Sequence, residues 1–485
     1  MELLSLLFAI VVVIWTLAIC RHFGTKLKLF HPIPVLGMLI VLTGSVISSD
    51  FWALKVGPLP ITIDRLLVGV LVCVYVVRYV ARVEDRRQLN RLDVAVGSMI
   101  LVLTVSAFSH DITFHENLPV SRLLFFYLMP LAVYGVVRSG VLGTNDLKLI
   151  SGCFIGLGIY LALTAIAETR GFPALVFPSY IMTSEFTEFL GRGRGPFLNP
   201  VSNGLFMITS FCCTLMWWKS ADRFGKLAIG ATTLLLVIGI FSTYTRSVWL
   251  ALVVACGWFI WVPASKRLKM VMIVGATLTV IALLPVYGDK LLSFKRDKEV
   301  TQNQMEKSAQ LRPLFAIVAM NMFQDRPFLG CGFGQYAQAK YPYLKDPHSG
   351  QPLSSTRTLM QHNIFLAYLT ETGLLGLASL LLMLALMVRA GWLVWFDRRL
   401  PLWPRMFGLL LLSLLSCDMI NGMFHDVSII PMVNMLLFFL AGVTNTIISG
   451  QWQFDREAQL AAATQPTVGH AMALQHDGRP SSGLA

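Results

Sequence analysis

Apolar residues fill the chain in long unbroken blocks, not at the two-residue or 3.6-residue spacing of a water-facing strand or helix. The blocks lie near 3–20, 31–48, 60–79, 93–109, 119–137, 147–166, 199–218, 227–243, 247–262, 268–285, 363–388, 405–417 and 430–447. A hydrocarbon layer about 30 Å thick takes roughly 20 helical residues at 1.5 Å each. The pattern therefore predicts an all-α fold, a polytopic integral membrane helix bundle of about 12–13 transmembrane helices. The second block carries Pro32 and Pro34, and the twelfth is short for a span.

Loop charges orient this bundle. Arg21, Lys26 and Lys28, the run from Arg78 to Arg91, Arg138 and Lys148, Lys219 to Lys226, Lys266 to Lys269, and Arg389 to Arg405 put about twenty basic residues in every second loop. The short loops between them hold few, notably Lys55, Arg122 and Arg246. This alternation is the positive-inside pattern. It puts the N-terminus outside, with residues 3–20 read as a retained helix that lacks a signal-peptide cleavage pattern. It puts the Ala, Gln, Gly, Ser and Pro-rich tail at 450–485 in the cytoplasm, as a disordered segment.

Composition narrows the class. Of 485 residues, 55% are hydrophobic and 13% charged, against roughly 25% charged in an average soluble domain. That excludes a disordered chain, a disulfide scaffold and an ordinary cytosolic enzyme. The net charge of +13 belongs to membrane topology and does not imply nucleic acid. Cys20, Cys73, Cys153, Cys212, Cys213, Cys256 and Cys417 lie in apolar blocks and read as small buried side chains, while Cys331 sits in a polar loop.

Two long connections, 167–198 and 286–362, fall on the outer side. Connections of this length are functional or disordered. The second carries a helix-like stretch from Leu311 to Asp325 that stops at Arg326-Pro327, then Gly330-Cys331-Gly332-Phe333-Gly334 and Tyr341-Pro342-Tyr343. It reads as an ordered cap on the membrane.

Candidate chemistry gathers on that side. His362 stands at the outer mouth of an apolar helix, where an imidazole can take and return a proton. Glu371 lies nine residues on, about 13 Å deeper, and an ionisable group in a membrane helix is by default functional. Gly373 and Gly376 would let a neighbouring helix approach. Arg192, Arg194, Arg246 and Arg312 run against the outer-side trend, and a guanidinium fork suits phosphate. A bland reading stands beside each: headgroup contacts or ion pairs for the arginines, a loop hydrogen bond for the histidine. His425-Asp426 is a candidate for the same cavity or for packing. Neither zinc spacing, a Walker loop nor an outer carboxylate pair is present in the sequence, so a metal-free mechanism without cofactor is the simpler expectation.

The run His362-Asn363, nine residues, Gly373-Leu374-Leu375-Gly376 resembles the bacterial O-antigen ligase pattern. Arg312, Arg326-Pro327 and Gly330-x-Gly-x-Gly334 upstream of it, with Arg192-x-x-Gly195-x-Phe197-x-Asn199-Pro200 and Thr245-Arg246-Ser247, resemble blocks of the O-antigen ligase and polymerase superfamily over about residues 190–445. The resemblance divides the chain into N-terminal transmembrane helices (1–190), a ligase/polymerase-like membrane domain (191–447) with a large periplasmic helical loop (286–362), and the tail. It implies a metal-independent inner-membrane glycosyltransferase acting at the periplasmic face. The donor would be a glycan on undecaprenyl diphosphate, the acceptor a glycan or lipid A core. Membrane lipid, a chain-length regulator and a flippase are the implied partners, and nucleic acid is not. It implies His362 as the catalytic histidine, Arg246 and Arg312 on the diphosphate with Arg192 and Arg194 assisting, and Asn363, Glu371, Gly373 and Gly376 in support. The expected form is a polysaccharide polymerase for O-antigen, capsule or exopolysaccharide; an O-antigen ligase fits the same motifs and is the alternative. A lipid-linked oligosaccharide flippase is the alternative of another class, and it would want charges at mid-membrane in paired repeats.

Overall fold

The computed structural model describes residues 31–48, 51–56, 59–80, 88–109, 119–183, 189–263, 266–267, 269–270, 302–345 and 352–450. The helices are α1 Pro32–Val46, α2 Ile63–Val80, α3 Arg91–Phe108, α4 Pro119–Ser139 and α5 Thr144–Arg170. They continue as α6 Pro200–Met216, α7 Arg223–Ser242, α8 Arg246–Trp261 and α9 Gln302–Asp325. α10 Ile364–Phe396, α11 Leu402–Gly422 and α12 Pro431–Ser449 complete the bundle. A hairpin of two three-residue strands, Leu54–Val56 and Leu59–Ile61, joins α1 to α2, with Leu54 opposite Ile61.

Eight of these helices are long and apolar enough to cross a membrane, and α1 and α8 are shorter apolar helices. The chain is thus an all-α, multi-pass membrane bundle. Eleven of the thirteen apolar blocks coincide with helices; the block at 3–20 and nearly all of 268–285 lie outside the described residues, as does the tail from 451. The short twelfth block grew into the 21-residue α11. The composition of its inner end hid its length, because Trp403, Pro404 and Arg405 are helical.

Helix starts follow local chemistry. Asn90 caps α3, its side chain accepting from the N–H groups of Leu92 and Asp93 (3.0 and 3.1 Å) while Asp93 accepts from Asn90 N–H at 2.7 Å. Asn199 before Pro200 opens α6 in the same way. One apolar core runs from Ile33 to Ile447 and unites early and late helices. α12 is enclosed, whereas α7 turns Leu227, Leu234, Ile238 and Phe241 outward, as a lipid-facing helix does. α10 and α11 cross closely where a Cβ on Gly408 would stand 2.7 Å from the Gly391 carbonyl oxygen.

Contacts between helix ends sort into the two faces that the loop charges define. At the basic face His31 Nδ1 meets Asp146 at 2.7 Å, Trp217 packs on Trp403 with centroids 4.8 Å apart, and Arg138 meets Asp93 at 2.6 Å. Tyr134 Oη and Asn445 Nδ2 donate to the other Asp93 oxygen at 2.7 and 2.9 Å. At the opposite face Ser48 Oγ donates to Tyr180 Oη, Tyr180 Oη to the Pro196 carbonyl, and Gly193 N–H to the Ser242 carbonyl at 2.8 Å.

The Asp93–Arg138 pair ties α3 to α4 with both side chains buried. Removing one partner of a buried pair strands the other charge, at a cost of about 3–5 kcal/mol. Asp93→Ala is therefore expected to lower unfolding stability in detergent by about that much, and Asp93→Asn by less, because an amide oxygen still accepts from Tyr134. Thermal or denaturant unfolding of the purified chain measures both.

Candidate active site

The site is built around a break in α10. Gly373 has φ 63° and ψ −159°, a conformation that interrupts the helix and that a side chain resists. A Cβ there would lie 2.4 Å from the Phe328 carbonyl carbon. The segment 327–334 runs through the gap. Leu374 N–H donates to the Pro327 carbonyl at 2.8 Å, and Leu375 N–H to that of Phe328 at 3.3 Å. In return Cys331 and Gly332 N–H donate to the carbonyls of Thr370 and Glu371 at 2.8 and 2.9 Å. The polar backbone groups that a broken membrane helix exposes are thereby satisfied. The close approach expected of Gly373 is real, but its neighbour is this loop and not a helix. Gly376 lies against its own helix, where a Cβ would stand 1.7 Å from Thr372 Oγ1.

A buried ionic group locks the junction. Arg122 of α4 donates through Nη1 to both oxygens of Glu371, at 3.0 and 3.1 Å, and its Nη2 lies 3.8 Å from Asp426 Oδ2. Gly334 N–H donates to Glu371 Oε2 at 3.0 Å, and Phe333 lies under the guanidinium at 4.8 Å. Burial pushes the Asp426 carboxyl above the ordinary aspartate value, and Arg122 pulls it back. One guanidinium thus joins the helix of His362, the glycine turn and the loop carrying His425.

The described part of the connection before α10 packs on its own core of Leu314, Val318, Met322, Cys331, Tyr336, Leu344 and Leu353. α9 ends at Asp325 as the sequence predicts, but begins at Gln302. Cys331, polar by sequence context, is buried, and burial pushes its thiol up to about 12. Lys340 Nζ donates to the carbonyls of Thr356 and Leu359 (3.2 and 2.5 Å), fixing the chain that leads to His362; burial pushes it down to about 8.

Above this base His362, half-buried and at φ 51°, presents its ring to two others. Phe315 of α9 lies 5.5 Å away and His425 lies 6.4 Å away, both edge-on. Arg312, one turn before Phe315, is exposed with Cζ 4.9 Å over the Phe424 ring. Asn363 caps α10, accepting from the N–H groups of Phe365 and Leu366 at 2.9 and 3.0 Å, and donates to the Met423 carbonyl at 3.0 Å. His362, Arg312, Asn363 and His425 are therefore one group.

Arg246 and Arg192 form another at the same end. Cys417 Sγ donates to the Ala251 carbonyl at 3.2 Å. Arg246 and Gly422 both lie five residues, about 7.5 Å, beyond that contact, and Gly422 abuts Ile364. The Gly193–Ser242 hydrogen bond brings the Arg192 loop to the turn before exposed Arg246. Arg192 lies on Phe189 at 5.3 Å. Arg194 differs from its expected role. It is fully enclosed, with Nε 3.1 Å from Glu168 Oε1 and Nη2 donating to the Ile181 carbonyl at 2.6 Å. It pins the loop that carries Arg192.

Residues 231–381 match the O-antigen ligase family. No curated protein matches the chain. The match bears out the resemblance drawn from the His362–Gly376 motif, and the O-antigen ligase stretch contains Arg246, Arg312, His362 and Glu371. Arg122, Arg192, His425 and Asp426 lie outside it, yet pack into the same end of the bundle. The sequence singled out His425-Asp426 for the same cavity or for packing. It noted Arg122 only as an outer-side cation, although a buried Glu371 on a membrane helix demands such a partner.

Arg122→Met is expected to destabilise the chain by about 3–5 kcal/mol, since it strands the Glu371 carboxylate. Arg122→Met with Glu371→Gln should recover most of the loss, because the amide oxygen still accepts from Gly334. Unfolding of the single and double variants measures the coupling.

Proposed function

We propose that the chain is an inner-membrane glycosyltransferase that moves a glycan from undecaprenyl diphosphate to an acceptor hydroxyl at the periplasmic face. The observation that carries this reading is the meeting of His362 with Phe315 and His425, from segments about fifty and sixty residues away, next to the contact of Arg312 with Phe424. His362 takes the acceptor proton as the oxygen attacks the anomeric carbon, and the centre inverts. Arg312 and Arg246 hold the diphosphate and offset the charge that grows on it as it leaves, with Arg192 at the rim. Asn363 aims the histidine from the helix start; Glu371, Gly373 and Gly376 keep the floor of the site. The proposed mechanism needs neither metal nor cofactor.

The polymerase form, joining lipid-linked repeats of an O-antigen, capsule or exopolysaccharide, is the one we favour. A ligase acting on lipid A core is the second reading, favoured by the description of the matching family. Chain-length and flippase proteins would work beside a polymerase. Deletion of the gene separates the two: single lipid-linked repeats accumulate if the chain polymerises, and long lipid-linked chains accumulate if it ligates.

His362→Ala is expected to lower transfer by about 10²–10⁴-fold, the usual contribution of a general base. Arg312→Ala or Arg246→Ala should lower it by about 10²–10³-fold, as loss of one transition-state donor does. Release of undecaprenyl diphosphate from a lipid-linked donor measures each. Wild-type rates in His362→Ala would contradict the mechanism.

A further inference from the structure

The ring beside His362 is a second imidazole, and its surroundings are as ordered as those of the first. His425 N–H donates to the Asn421 carbonyl at 2.8 Å, and Val427 N–H to the His425 carbonyl at 3.0 Å. Its neighbours turn opposite ways, Phe424 under Arg312 and Asp426 inward toward Arg122. Asn363 holds the same loop through the Met423 carbonyl. The two imidazoles are half-buried and nearly perpendicular, at 86°. His425 thus sits beside the base, on the same loop as the Phe424 ring that lies against the guanidinium of Arg312.

We propose that His425 is a second catalytic residue, an imidazolium that gives a proton to the leaving diphosphate while His362 takes one from the acceptor. This rests on the transferase reading above. The acceptor O–H bond breaks and its proton goes to His362. The acceptor oxygen bonds the anomeric carbon, and the bond from that carbon to the phosphate oxygen breaks with its electron pair. The diphosphate takes the proton of His425. The cycle closes when His362 returns its proton to His425, across neighbouring rings or one water. No outside acid, base or oxidant is consumed.

Among the described residues, the charged and titratable groups around this loop are His362 on the lead into α10, Arg312 on α9, set over Phe424, and Asp426 on the loop itself, with Arg122 and Glu371 behind Asp426. A diphosphate bound beside these rings would favour the charged form of an imidazole.

The test uses the full chain in inner-membrane vesicles from cells that make their own lipid-linked donor. Release of undecaprenyl diphosphate is followed from about pH 5.5 to 9.5. Wild type should give a bell, its acid limb from His362 and its alkaline limb from His425. His425→Ala should lose about 10²-fold at the optimum and lose the alkaline limb while keeping the acid one. His425→Gln, closer in size, should lose the same limb and stands in if the alanine variant does not fold. His425→Arg should recover part of the rate through charge alone, still without the limb. A wild-type bell in His425→Ala or His425→Gln overturns the proposal, whatever the rate. If His362→Ala retains transfer, the transferase reading itself falls; if it is inert while the His425 variants keep the bell, only the role of His425 falls.

Discussion

The structure depends on a helix that is broken inside a membrane and repaired by a loop. Gly373 opens the backbone of α10, and four hydrogen bonds from segment 327–334 close the gap. In hydrocarbon each unsatisfied amide or carbonyl costs several kcal/mol, so this loop cannot drift without unmaking the helix. Gly330 is pressed equally hard, its missing Cβ falling 2.5 Å from the Glu371 carbonyl carbon. Everything above the break inherits that rigidity: the core around Val318 and Tyr336, the approach of Phe315, and the ring of His362.

Charge is distributed by the same logic. The buried carboxylates of Asp93, Asp146, Glu168 and Glu371 each meet a cation or a histidine, and they hold the fold together. Arg194, fully enclosed on Glu168, belongs with them. Arg246 and Arg312 stay exposed at the end opposite the basic loops. The imidazoles of His362 and His425 lie at that same end.

Much of this was legible along the chain, for physical reasons. Hydrocarbon thickness sets block length, so eleven apolar blocks coincide with helices. Alternating loop charge sets the faces, and the contacts His31–Asp146 and Gly193–Ser242 respect them. His362 could be named because one ionisable ring at a helix mouth breaks an apolar pattern. What stayed hidden was pairing across hundreds of residues. Arg122 and Glu371 are 249 apart, and no periodicity links them. Arg194 and Arg192 share one motif and both are buried, but Arg194 is the one that meets Glu168, which lies near the end of the preceding long helix. Gly373 and Gly376 read as a helix-packing pair, and only coordinates reveal that the first is a break.

The most direct test of the whole picture is a cryo-EM structure of the full chain bound to an undecaprenyl-diphosphate-linked sugar. The diphosphate should lie between Arg312 and Arg246, with the anomeric carbon turned toward His362 and His425. A diphosphate held at the basic-loop face, or midway along the bundle and away from both histidines, would contradict it.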